Sequence, residues 1–183
     1  MKKIMAYTFL TICGVLIIGA CGSSTEDDSS STSLPDYETT TLSGTVVNTS
    51  WTLKTGRVTK PTSSTGYYSV TMINDNLSDA CSSTYTGTSS NPKIMFSRDN
   101  DSGNLEVGET ELCFKSGCTK TVTFYDGSTN YIATTGKISI DTHTTTAVTG
   151  KMYAEMGSHS KINGTFTLSR CCLSGGSYAL CSE

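Results

Sequence analysis

From Leu42 onward, apolar side chains recur at every second position, and that period restricts the chain to strands. Tyr68, Val70 and Met72 share one face of a segment, as do Ile94 and Phe96, then Val122 and Phe124. The rhythm continues through Ile132, Ile138 and Ile140, then Val148 and Met152, then Ile162, Phe166 and Leu168. No convincing helical period competes with it. Turn-forming stretches punctuate the segments: NDN at 74–76, DNDSGN at 99–104, DGSTN at 126–130, DTHTTT at 141–146 and GSHS at 157–160. Short alternating segments with regular turns predict an all-β domain, an antiparallel β-sandwich or small β-barrel of about 8–10 strands with a C-terminal meander.

TGKISI begins at Thr135, TGKMYA at Thr149 and NGTFTL at Asn163, so Gly136, Gly150 and Gly164 stand 14 residues apart. SGTVV at 43–47 echoes them. That spacing is one strand plus one turn, and it predicts a glycine at a similar level in each strand of the meander. Glycines so placed would allow sharp coiling or close packing of a neighbouring side chain.

The N-terminus has a different character. Lys2 and Lys3 precede an apolar run of 17 residues from Ile4 to Ala20, which reads as an export signal. A membrane span wants about 20 such residues. The run closes on Ile18-Gly19-Ala20-Cys21, which resembles the lipobox of bacterial lipoproteins. The resemblance implies that residues 1–20 are a cleaved signal peptide. It also implies lipid on the Cys21 thiol, acylation (palmitate) of the new amino terminus, and the membrane as partner. Residues 22–41 are Ser/Thr-rich, with Glu26, Asp27, Asp28, Asp36 and Glu38 and no basic residue. With Cys21 they are expected to form a disordered acidic tether over 21–41, leaving 42–183 as a single β domain. Gly22 occupies the place where an aspartate commonly retains lipoproteins in the inner membrane. The resemblance therefore implies a lipid-anchored cell-envelope protein of the outer membrane.

Cys13 would leave with the signal, and six further cysteines remain: Cys81, Cys113, Cys118, Cys171, Cys172 and Cys181. An even number in an exported domain predicts disulfides, whereas a thiolate metal site would want CxxC pairs that are absent. Cys113 and Cys118 can close a tight loop in which Gly117 eases the turn. Neighbouring cysteines on a strand point to opposite faces, so Cys171 and Cys172 should take different partners. One should pin Cys181 and the other should reach Cys81; the sequence leaves open which takes which.

Residues 42–183 carry 11 acidic and 11 basic side chains, and this neutral balance argues against a nucleic-acid partner. Asp99 and Asp101 invite a calcium reading, but Gly103 and Asn104 fall where a calcium-binding EF-hand loop needs a ligand and a glycine. A polar hairpin turn is the expectation there. No metal or other cofactor is expected. His143 and His159 fall in turns, and neither GxSxG nor HExxH occurs, so the chain is not expected to be an enzyme. Tyr125, Tyr131 and Tyr153 have the opposite parity from the core residues of their segments. They are expected on an outer sheet face with Thr135, Lys137, Thr149 and Lys151, where they could stack on a glycan or meet an envelope protein.

The layout, with SGTVVNTSW at its start and INGTFTL near its close, is similar to small exported β-proteins carried on lipoprotein leaders. That resemblance implies an antiparallel sandwich or barrel and transfers no active site. The expected role is a binding or structural module. The rival expectations are a small-ligand carrier barrel and a periplasmic inhibitor of a lysozyme or protease, the latter presenting the Cys113–Cys118 loop.

Overall fold

The computed structural model describes residues 33–62, 66–82, 91–101 and 104–182, and every regular element among them is a strand. The first half contributes β1 (Ser43–Val46), β2 (Thr49–Thr52), β3 (Thr55–Thr59), β4 (Tyr68–Ile73) and β5 (Lys93–Arg98). A small hairpin of β6 (Asn100–Asp101) and β7 (Asn104–Leu105) follows, then β8 (Gly108–Glu111), β9 (Val122–Tyr125) and β10 (Asn130–Ala133). The C-terminal part contains β11 (Thr135–His143), β12 (Ala147–Met156), β13 (Ser160–Ser174) and β14 (Ser177–Leu180).

Nine strands form one curled path in the order β10-β9-β5-β4-β3-β13-β12-β11-β8. Only Thr134 separates β10 from β11, although the two stand near opposite ends of that path. A one-residue connection can join them only because the sheet curls into a half-barrel that brings its ends together. The expected C-terminal meander is β11-β12-β13.

The 15 residues of β13 organise the sheet. One edge pairs with β12 along Ser160–Ser169 and then with β14 along Cys171–Ser174. The other edge pairs with β1 at Lys161–Asn163, then with Thr41 at Thr165, then with β3 at Ser169–Cys171. The β13–β3 pairing is parallel, so the sheet is mixed where a wholly antiparallel one was expected. Strand direction there is set by a contact between segments more than a hundred residues apart in sequence, which local alternation does not encode.

The alternation predicts the core well. Tyr68, Val70, Met72, Ile94, Val122, Phe124, Ile140, Val148, Met152 and Ile162 are all fully enclosed, and Ile138, Phe166 and Leu168 are nearly so. Trp51 joins them and donates its indole N–H to the Pro92 carbonyl at 3.0 Å, which satisfies the one polar atom it buries. Ile132 departs from the expectation. β10 pairs with β9 so that Tyr131 lies opposite Phe124 and Ala133 opposite Val122, which turns Tyr131 and Ala133 inward and Ile132 away. Register against the neighbouring strand outweighs the hydrophobicity of one isoleucine.

The glycine rhythm also changes meaning. Gly136 lies opposite Ala154, Gly164 opposite Met152, and Gly150 is itself on β12, so the three step by two residues instead of sitting level. Steps of two keep them on the inner face. Gly136 and Gly164 share an extended left-handed backbone, with φ of +143° and +141°. A Cβ on Gly136 would strike the Tyr153 carbonyl, and one on Gly164 would lie 2.8 Å from the Leu42 Cα. Close approach of a neighbouring backbone is therefore what these glycines permit.

The domain begins earlier than Leu42. Within the expected tether, residues 33–41 hydrogen-bond to β13: Asn163 Oδ1 accepts from the Glu38 amide at 3.1 Å, and its Nδ2 donates to the Asp36 carbonyl at 3.0 Å. The Thr165 amide donates to the Thr40 carbonyl at 2.8 Å. Tyr37 is half-buried against Lys137 and Lys151, whose ammonium groups lie 4.6 and 5.9 Å from its ring centre. A polar composition did not prevent order because backbone donors on the open edge of β13 needed partners. Residues 1–32, including Cys21, lie outside the described residues.

Candidate functional site

All six domain cysteines pair, as Cys81–Cys171, Cys113–Cys118 and Cys172–Cys181. Cys171 is wholly enclosed and ties the 79–82 turn to the sheet, while Cys172 fastens the C-terminal hairpin. The Cys113–Cys118 bridge closes an exposed loop. Within it the Lys115 and Cys118 amides exchange hydrogen bonds with each other's carbonyls at 3.0 and 2.9 Å, and Gly117 supplies φ of +82° at the turn. Phe114, the first residue inside the bridge, is 64% exposed.

The three tyrosines do not form one patch. Tyr125 faces outward beside Lys93, 5.9 Å from ring centre to ammonium. Tyr131 turns inward and meets the His159 ring edge-on at 5.9 Å. Tyr153 faces outward but is covered, with its hydroxyl bonded to Glu155 and the Lys161 ammonium over its ring. Parity read along each segment was correct for Tyr125 and Tyr153 and inverted for Tyr131, and segment 33–41 fills the outer surface beside Lys137 and Lys151. His143 and His159 sit at opposite ends of β12, so they do not converge. Asp99 follows β5, and Asp101 lies in the β6–β7 hairpin, the polar turn that was expected. No group of three or more metal-ligating side chains occurs among the described residues.

The feature with chemical character is a cleft of about 480 Å³ between the end of β5, β8 and the 117–121 segment. Tyr67 stands at its edge, 66% exposed. Ser97, Arg98, Asp99, Thr110 and Lys120 supply polar groups, and among the described lining side chains only Leu112 and Ile138 are aliphatic. Arg98 is 5% exposed because it follows Ile94 and Phe96 inward on β5. Its guanidinium donates to the Thr110 hydroxyl and to the Gly108 carbonyl at 3.3 Å, and pairs with the Glu106 carboxylate at 3.5 Å. These partners neutralise a charge that would otherwise be costly to bury. Sequence reading passed over Arg98, although its place in the Ile94–Phe96–Arg98 alternation marks it as an inward-pointing cation. A second inward arginine, Arg170, continues the Phe166–Leu168 row of β13 and donates to the Thr144 carbonyl at 3.1 Å.

Val107 sits between the two residues that hold Arg98 and is 52% exposed. Tyr67 lines the cleft, while Val107 and Phe114, also exposed, stand close in sequence to the lining residues Thr110 and Leu112. An exposed aromatic beside a cleft that carries hydroxyl, carboxylate and ammonium groups is suited to stacking and hydrogen bonding. No protein-family model, no curated protein and no solved structure matches this chain.

Proposed function

We propose that the protein is a lipid-anchored cell-envelope module that binds, without chemical turnover, through its aromatic-rimmed cleft and the Cys113–Cys118 loop. The observation that carries the reading is the pairing of an exposed Tyr67 with a mixed polar cleft of about 480 Å³. The three disulfides support an oxidising compartment, and the lipobox-like Ile18-Gly19-Ala20-Cys21 supports attachment to the outer membrane. A carrier of apolar ligands is less well supported, because hydroxyl-bearing and charged side chains interrupt the apolar surface of the cleft.

The anchor is tested by labelling with radioactive palmitate: wild type should take label and fractionate with membranes, and Cys21→Ser should lose both. An unlabelled wild type ends that part of the reading. Binding is tested by capture from envelope extracts, comparing wild type with Phe114→Ser and Tyr67→Ala. A component retained by wild type and lost by either variant supports the cleft and loop, and identical profiles count against them. A second reading, inhibition of an envelope hydrolase, rests on Phe114 alone, displayed on a disulfide-closed loop. It requires the captured component to be an enzyme whose activity falls on binding.

A further inference from the structure

We propose that the cleft beside Arg98 takes a neutral oligosaccharide of gluco-configured pyranose rings, an inference that rests on the binding-module reading and names its ligand class. The first argument is charge. Arg98 faces the Glu106 carboxylate and donates to Thr110 and Gly108, and its unpaired Nε is buried, so its charge is balanced within the protein and turned away from a ligand. Among the described residues, the remaining charged groups of the lining are Asp99 and Lys120, one of each sign. A phosphate or carboxylate would meet Asp99 with only Lys120 to offset it, whereas an uncharged polyol can accept from the ammonium and donate to the carboxylate at once.

The second argument is surface chemistry. Ser97, Thr110, Thr119 and Thr121 add hydroxyl-bearing side chains, which match the dense donor and acceptor pattern of a sugar. Tyr67, at the edge, is 66% exposed and presents a ring to anything seated there. A pyranose whose hydroxyls are all equatorial has two faces of axial C–H bonds, which carry partial positive charge. Such a face lies favourably on the negative face of an aromatic ring. A lipid would need a continuous apolar lining, and Leu112 and Ile138 alone do not supply one.

The third argument is size. A cleft of about 480 Å³ falls within the range of small-ligand sites and is larger than one sugar ring requires, so an oligomer is the fitting ligand.

The test uses the full-length protein purified in detergent, with chitotriose, cellotriose and maltotriose as neutral probes and trigalacturonate as the anionic one. Saturation-transfer NMR and titration calorimetry should detect at least one neutral trisaccharide, with saturation strongest on its axial C–H protons. Tyr67→Ala and Asp99→Asn should each weaken that binding about tenfold. Leu180→Ser, on the exposed β14, should leave it unchanged. Circular dichroism identical to wild type establishes that each variant is folded. Three results overturn the assignment: no binding of any neutral trisaccharide, preference for trigalacturonate, or affinity indifferent to both Tyr67 and Asp99. If sugars fail while capture still depends on Phe114 or Tyr67, only the ligand class falls. If both fail, the binding-module reading falls with it.

Discussion

Arg98 on β5 donates to the Thr110 hydroxyl on β8, two strands that share no backbone ladder. In the sheet order they are separated by β4, β3, β13, β12 and β11, so the contact spans the interior of the curl. The same guanidinium reaches the Gly108 carbonyl and the Glu106 carboxylate. One buried side chain therefore fastens the edge strand β8 across the barrel interior and also forms part of the cleft.

Replacing Arg98 by Met should lower stability by about 2–3 kcal/mol, because Thr110 and Gly108 lose their donor and the edge strand loses its clasp. Arg98→Lys should recover less than half of that loss, since a single ammonium cannot reproduce the planar fork. Urea unfolding measures the loss, and amide exchange should accelerate first over Gly108–Glu111. Uniform acceleration along the chain would argue against the clasp.

The three bridges should differ in worth according to the loops they close. Cys81 and Cys171 are 90 residues apart, and Cys172 and Cys181 are 9 apart. Removing the first pair as a double alanine variant should cost about 4–5 kcal/mol and removing the second about 2–3 kcal/mol, on chain-entropy grounds. Denaturant midpoints of the two variants give the comparison directly. Equal losses would show that local strain or residual structure dominates instead.

Gly136→Ala should cost about 3 kcal/mol or more, because a side chain there meets both an unfavourable φ and the backbone of Tyr153. Gly175→Ala makes the control: its φ is +59° and nothing lies within 4 Å, so about 1 kcal/mol is expected. Thermal melts of the two proteins should separate them clearly. A neutral Gly136→Ala would mean the meander can relax around the new methyl.

Two tyrosines should make the fold sensitive to alkali. Burial, reinforced by the Glu155 carboxylate, raises Tyr153 from 10.0 to about 12. Burial and then Glu109 raise Tyr37 still further. In both, the folded state holds the phenolic proton more tightly than the unfolded chain does. Stability is thus intact below pH 10 and declines as pH rises toward 12, because the unfolded state releases its protons first. Thermal midpoints across that interval should fall, and the combined variant Tyr37→Phe with Tyr153→Phe should fall less steeply. Equal slopes would assign the alkaline loss to other groups.

Features that depend on neighbours along the chain were legible in the residues alone. Alternation set which residues of β4, β5, β9, β12 and β13 point inward, because strand geometry has a strict period of two. Adjacency of Cys171 and Cys172 required different partners, and the spacing of Cys113 and Cys118 allowed a local bridge. Contacts between distant segments settled the remainder. They assigned Cys171 to Cys81, inverted β10 so that Tyr131 faces the core, and placed β3 parallel to β13. They also recruited residues 33–41 from an unpromising polar stretch, because the open edge of β13 needed hydrogen-bond partners that local composition does not foretell. The cleft arises in the same way: Tyr67, Arg98, Thr110 and Lys120 lie apart in sequence and converge only when the sheet curls.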